Sequence, residues 1–202
     1  GVTVGEDARR GQHTSIGFGG RTVQAARTAQ AAQAARATQV ARAAQAAQTV
    51  RATQVAPPLP VDPALAPLLP GGLRRGSTVG VTGSISLLLA LLGAASARGA
   101  WCALVGFPHI SAEAAHEYGV HLSRLALVPA PGSDWTTAVG ALLDAVDVVA
   151  VRPPVRIAPG EIRRLAARTR NRDAVFVAFD GGRGSEWPGE DVRLSAAPGT
   201  WA

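Results

Sequence analysis

STVGVTGSISLLLALL, residues 77–92, decides how the rest of the chain reads. Thr78–Thr82 is a short β-type apolar run. Gly83 and Ser84 break it, and from Ser86 to Ala97 the pattern is that of an apolar helix. Gly76–Ala97 is 22 residues without a charge, long enough to span a bilayer. Six of those residues are Ser or Thr, however, and Gly80 and Gly83 interrupt the first half. The stretch therefore reads as strand, tight turn and buried helix, and no membrane segment is expected.

Working outward, the same alternation repeats. Apolar runs at Trp101–Phe107, Leu125–Val128, Val146–Val151 and Ala174–Phe179 predict strands, with a last one at Asp191–Ala196. Helical patterns fall between them at Ser111–Tyr118, Trp135–Asp144 and Pro159–Thr169. Strands alternating with helices predict right-handed βαβ units and a mostly parallel sheet flanked by helices, an α/β fold. The strand runs are continuously apolar, as both faces of a covered parallel sheet require.

Composition excludes several chemistries. All 20 basic residues are Arg, so a P-loop lysine and a Schiff-base lysine are impossible. The single Cys, Cys102, excludes a disulfide framework or a cysteine zinc site within one chain. This usage predicts a reducing, cytoplasmic location, with nucleoid association compatible with the basic charge. No cofactor is expected.

The net charge of +6 is unevenly placed. Residues 1–61 carry seven Arg against Glu6 and Asp7, whereas residues 62–202 carry thirteen Arg against twelve acids. A basic arm on a nearly neutral body suits an acidic partner such as DNA, although Arg also serves simply to keep an Ala-rich tail soluble. Residues 1–20, with six Gly, predict a disordered leader; they hold no apolar signal-peptide core and no starting Met, as a processed or trimmed start would give. Residues 21–56 contain a repeat, RTVQAARTAQAAQAA then RATQVARAAQAAQTV, identical at nine of fifteen positions. Ala, Gln and Arg favour helix, but the Arg residues spread around the axis and leave no coiled-coil seam. A helical or disordered low-complexity arm is predicted. Residues 57–70, PPLPVDPALAPLLP, hold six Pro and predict a stiff linker whose Leu65, Leu68 and Leu69 pack onto the α/β domain at 71–202.

The first strand–turn–helix unit is where a phosphate loop would sit. Counting from Gly83, the places for Gly, Lys and Ser/Thr hold Leu88, Leu89 and Ala90. Gly83, Ser84 and Ser86 remain as a vestigial phosphate loop, with Ser84 or Ser86 free to cap the helix.

The order LLPGGLRRGSTVGVTGSISLLLALLGAASARGAWCALVG at 68–106 resembles the start of the RecA ATPase core, as does GVHLSRLALVPAPGSDWTTAVGALLDAVDVVAVRPP at 119–154. More narrowly, LLPGG at 68–72, GSISLLLALL at 83–92, LSRLALVPAPG at 122–132 and VDVVAVRPP at 146–154 resemble the actinobacterial ImuA-type proteins. These are RecA-like accessory factors of a damage-induced mutagenesis cassette. The likeness covers about residues 64–202 and leaves out the arm. It implies a RecA-like sheet and a non-catalytic scaffold in SOS translesion mutagenesis. The implied partners are a Y-family polymerase-like protein and RecA itself. A regulator of cell division on the same degenerate fold is a more distant implication. ImuA-type proteins generally continue beyond the point where this sequence stops, and that extension is implicated in partner contact.

The departures from RecA point away from catalysis. Arg152 stands where the magnesium-holding acid belongs, and Asp147 lies at the wrong end of its strand. Pro108–His109 follow the second strand where a water-activating Glu is expected. Phosphoryl transfer needs cradle, metal and oriented water, so no hydrolysis is expected. The alternatives are a basic-arm DNA-binding protein and residual nucleotide binding without hydrolysis.

Other clusters have two readings each. His109, His116 and His121, with Glu113 and Glu117, are spaced too widely for a convincing metal site and suit a solvated helix. Gly83–Leu87 lacks the second Gly of a nucleophile elbow. PGEIRRLAARTRNR at 159–172 places Ile162, Leu165, Ala166 and Thr169 on one stripe, leaving Arg163, Arg164, Arg168, Arg170 and Arg172 outside it. With Arg152 and Arg156 they form a candidate partner or DNA contact; an ordinary amphipathic surface helix is the alternative. Trp187 and Trp201 mark either a binding surface or packing at the sheet edge.

Overall fold

The computed structural model describes residues 57–154, 157–181 and 187–196. The expected leader and repeat arm, Arg156 and Trp201 lie outside the described residues. In chain order the elements are β1 (Thr78–Thr82), α1 (Ile85–Ala97), β2 (Cys102–Val105), α2 (Ala112–Glu117), β3 (Leu125–Val128), α3 (Trp135–Ala145), β4 (Val148–Val151), α4 (Pro159–Asn171), β5 (Val175–Asp180) and β6 (Val192–Ser195). The strands form one six-stranded sheet in the order β3-β2-β4-β5-β1-β6. Every strand pairing is parallel, so the expected α/β architecture holds. The antiparallel contact is an isolated bridge, Leu59 to Leu73, outside the sheet.

Alternation along each strand sorts side chains onto two faces. Val79, Val81, Cys102, Leu104, Val148, Ala150, Val175 and Val177 meet the leucines of α1 and Ala115 of α2 on one face. Ala103, Val105, Val149, Val151, Phe176 and Ala178 meet Trp135, Val139, Leu142 and Leu143 of α3 and Leu165 of α4 on the other. Both layers are dry, which is why the inner strands read as unbroken apolar runs.

Helix α1 is apolar almost all round, and its outer surface needs a cover. The Pro-rich segment supplies it. Leu59, Leu69 and Leu73 are buried in the same cluster as Leu88, Leu91 and Leu92, with Val61 and Leu65 packed against them. The expected linker is thus part of the folded body. Leu65 and Leu69 pack as anticipated, whereas Leu68 is 62% exposed. The bridge explains the arrangement: Leu59 N–H donates to the Leu73 carbonyl (2.9 Å) and Leu73 N–H to that of Leu59 (2.8 Å). Gly72, at φ +87°, lies so close to the Leu59 carbonyl that no side chain would fit. Gly93 on α1 is tighter still, because a Cβ would overlap the carbonyl oxygen of Tyr118.

At the amino ends of the strands one ion pair joins four segments. Asp147, just before β4, accepts from Arg75 Nη1 (2.9 Å) and from the Trp101 N–H (2.8 Å) before β2. Arg75 Nε donates to the Pro57 carbonyl (3.1 Å). The Val175 N–H of β5 donates to the Asp147 carbonyl (2.8 Å). The Asp147 side chain is only 5% exposed and that of Arg75 15%. Burial of Cys102, and secondarily the charge of Asp147, pushes the Cys102 thiol far up, so it is an inert core group.

Two substitutions test this packing. Asp147→Ala leaves a buried guanidinium without its carboxylate and is expected to cost about 3–5 kcal/mol; a loss under about 1 kcal/mol in urea unfolding would contradict the role given to the pair. Gly93→Ala forces α1 off residues 118–119 and is expected to lower stability by about 1–3 kcal/mol, read as a fall in Tm without a change of fold by circular dichroism.

Candidate functional site

The turn after β1 is very short. β1 ends at Thr82 and α1 begins at Ile85, leaving Gly83 and Ser84 between them. Gly83, at φ +86°, makes the reversal. Ser84 is the N-cap: its side-chain oxygen accepts from the Leu87 N–H (3.2 Å). Ser86 lies exposed on the first turn. Leu88 and Leu89, in the places of the phosphate-loop residues, are 0% and 2% exposed and belong to the core. A phosphate loop needs several backbone N–H groups curled around one anion, and a two-residue turn does not provide them.

The open space lies instead at the carboxyl ends of neighbouring strands. The helices after β1 and β2 pack on the α1/α2 face, whereas α4 after β4 and Trp187 after β5 pack on the opposite face. Crevices therefore open between β1 and β5 and between β2 and β4, where neighbouring connections diverge. The first is a cleft of about 340 Å³ bordered by Thr82, Phe179, Asp180, Trp187, Glu190 and Arg193. The second, about 200 Å³, lies beside Val105, Gly106 and Trp135. Arg152, directly after β4, borders both.

The arginines expected to act together are thereby separated. Arg152 points into the crevices, with its guanidinium carbon 6.0 Å from the centre of the Phe179 ring, within cation–π range. Arg168 is bidentate to Asp144 of α3, with Nε at 2.8 Å from Oδ1 and Nη2 on Oδ2, and Arg172 Nε donates to the same carboxylate at 3.0 Å. These two pairs tie α4 to α3, while the Arg168 and Arg172 side chains stay 47% and 57% exposed. Arg163, Arg164 and Arg170 stay exposed, with no ion pair among the described residues. The α4 stripe is as read: Leu165 and Thr169 are buried, and Ile162 and Ala166 partly so.

Trp187 is a packing residue, 7% exposed, with its ring centroid 4.9 Å from that of Phe176. His109, His116 and His121 are exposed, and no group of three metal-ligating side chains converges among the described residues. Three cleft residues escaped the sequence reading. Asp180 carried a usable signal, being an acid at the carboxyl end of an apolar strand, the feature sought after β4 and found after β5. Glu190 and Arg193 carried none. They pair with each other across the start of β6, and Glu190 reaches over Gly80, whose missing side chain leaves the space.

The Arg168–Asp144 pair has a pH signature. The Arg168 hydrogen bonds hold the Asp144 carboxyl below its ordinary value, against a smaller opposing effect of burial and with help from the charges of Arg168 and Arg172. A lowered folded value adds stability above the unfolded carboxylate value of about 3.9 and loses it as pH falls through the folded value. Asp144→Asn is therefore expected to be less stable than the parent at neutral pH, the deficit closing as pH falls below the unfolded carboxylate value of about 3.9 and through the lowered folded one. A deficit unchanged down to pH 2 would show that the carboxylate charge contributes nothing.

Three likenesses follow. A family model described as the MT3502 N-terminal domain matches residues 67–189. The uncharacterized protein Rv3395c of Mycobacterium tuberculosis (strain ATCC 25618 / H37Rv) is 35% identical over 133 residues, covering 65% of this chain and 63% of that protein. The chain thus spans less than two thirds of that relative's length. The crystal structure of SulA from Pseudomonas aeruginosa is 15% identical, with a TM-score of 0.44, over 50% of this chain and 95% of that one. That overlap is too slight to bear on function. The match to the family model spans well over half of the sequence, and the chain belongs to the MT3502 N-terminal domain family.

Proposed function

We propose that this protein is a non-catalytic RecA-like scaffold of the ImuA type, acting in damage-induced translesion mutagenesis. It holds a Y-family polymerase-like partner and contacts RecA. The observation that carries this reading is the fate of the phosphate-loop positions. Leu88 and Leu89 are sunk in the core, and Ser84 spends its oxygen on the helix cap. A domain that keeps the parallel sheet and lacks phosphate-loop chemistry suits holding other proteins better than turning over nucleotide. The exposed Arg163, Arg164 and Arg170 give such a scaffold one polar contact face.

A second reading has its own support. The basic arm at residues 1–61 and the same three arginines suit direct DNA binding without catalysis. Few aromatics are interleaved with them, so a base-stacking platform is disfavoured.

Affinity capture with the full chain from DNA-damaged cells separates the two. It is run beside a form in which the seven arm arginines are replaced by Gln. Recovery of a Y-family polymerase-like protein by both forms supports the scaffold. Recovery of nucleic acid alone, lost with the arm charges, sinks it and favours DNA binding. Nucleotide is checked separately. About 1 mM ATP with magnesium is expected to leave Tm unchanged, since a Kd near 10 µM would add about 2.7 kcal/mol at that excess.

A further inference from the structure

Among the described residues the Arg152 guanidinium borders both crevices without a carboxylate partner. Arg75 and Arg193 also border buried regions, and each has a carboxylate. Arg152 has no ion pair among the described residues; its contact is the face of Phe179. Its backbone is fixed, because its N–H donates to the Val105 carbonyl (2.9 Å). Gly181 makes room for its side chain: a Cβ there would stand 2.8 Å from Nη2. A planar cation is thus held on an aromatic ring, at the mouth of a cleft of about 340 Å³. That volume lies at the lower end of the roughly 300–1,000 Å³ range of small-molecule sites.

The rest of the lining narrows the ligand. Ile157, Ile162 and Trp187 make an apolar wall. Glu190 is neutralised by Arg193, and Asp180 keeps an interaction of its own. Among the described residues the lining therefore holds two arginines and two carboxylates, and Arg152 is the cation without an ion pair. A polyphosphate would bring several negative charges against Asp180 and Glu190. A single carboxylate would meet the guanidinium fork edge to edge, the geometry in which two parallel N–H groups bind both oxygens.

We propose that the cleft between β1 and β5 binds a monocarboxylate with an aromatic or branched apolar body, its carboxylate on Arg152 and its body against Trp187 and Ile162. The site is separate from the Gly83–Ser86 turn and stands independently of the scaffold reading. The same chemistry is offered by a free organic acid or by the acidic side chain or terminus of a protein segment flanked by an apolar residue.

The test uses the full chain labelled with 15N and titrated with 3-phenylpropionate, its neutral amide, inorganic phosphate, ATP, and a capped peptide carrying one Glu beside Phe. Expected are saturable shifts confined to Gly80, Gly181 and the Trp187 indole, with the acid binding at least tenfold more tightly than the amide. Arg152→Gln is expected to lose at least tenfold in affinity. Arg152→Lys keeps the charge but not the fork and is expected to recover only part of it. Stronger binding by the peptide than by the free acid supports the same site with protein as the source of the carboxylate. Equal binding of acid and amide, tighter binding of ATP or phosphate, or an Arg152→Gln variant that is folded and binds as the parent does would each overturn the proposal.

Discussion

The ion pair between Arg75 and Asp147 is the constraint on which the sheet depends. It ties the residues entering β1, β2, β4 and β5 to one another and reaches the Pro57 carbonyl at the start of the covering segment. A buried pair contributes little net stability compared with an apolar replacement of the same shape, but it punishes any arrangement that leaves one partner alone. Its effect is register. With Asp147 engaged, β4 cannot slide along β2 or β5 without exposing a charge to a dry interior. A parallel sheet needs such a device, since its strands carry apolar residues on both faces and the hydrophobic pattern alone does not choose between registers. Asp191 repeats the device on a smaller scale, accepting from the Thr78 N–H (2.8 Å) and from Arg74 (3.0 Å) to set β6 against β1.

Fixing the amino ends leaves the carboxyl ends to diverge. The helices after β1 and β2 pack on one face, and α4 after β4 and Trp187 after β5 on the other, so the crevices follow from strand order. Arg152 stands between them because β4 lies between β2 and β5. One end of the sheet is closed by charge pairing; the other is open and carries Arg152, which among the described residues has the Phe179 ring and no ion pair. Stability and recognition are thereby separated along the strand direction.

What could be read from the sequence follows from the range of the forces involved. Strands and helices were legible because their signals are local: β1 and β3 fall on the predicted residues, and the helix ends shift by two residues at most. The unreadable parts rest on partners distant in sequence. The Pro-rich segment read as a linker because proline breaks helices, yet Leu59 and Leu73 bond across an intervening turn and carry it onto α1. The pairing of Arg168 and Arg172 with Asp144 went unread because that residue lies 24 and 28 positions earlier. Asp147 read as a misplaced metal acid, and its partner Arg75 is 72 residues away. The candidate cleft was hidden for the same reason, since its lining comes from β1, β5 and β6, the connection after β4, helix α4 and the segment before β6.

The two-residue turn after β1 and the burial of α1 go together. A helix that presents Lys and Ser/Thr to a nucleotide must keep its first turns wet. Here the two-residue turn brings Leu88 and Leu89 directly beneath the sheet, and the Pro-rich segment packs into the same cluster from outside. Placing Lys at Leu89 would bury a charge without a partner, which a dry layer does not accept. A longer loop in place of Gly83 and Ser84 would lift α1 away from the residues now covering it. Helix α1 is thus a core helix, and the cleft bordered by Arg152 opens at the opposite end of the strands from the Arg75–Asp147 pair.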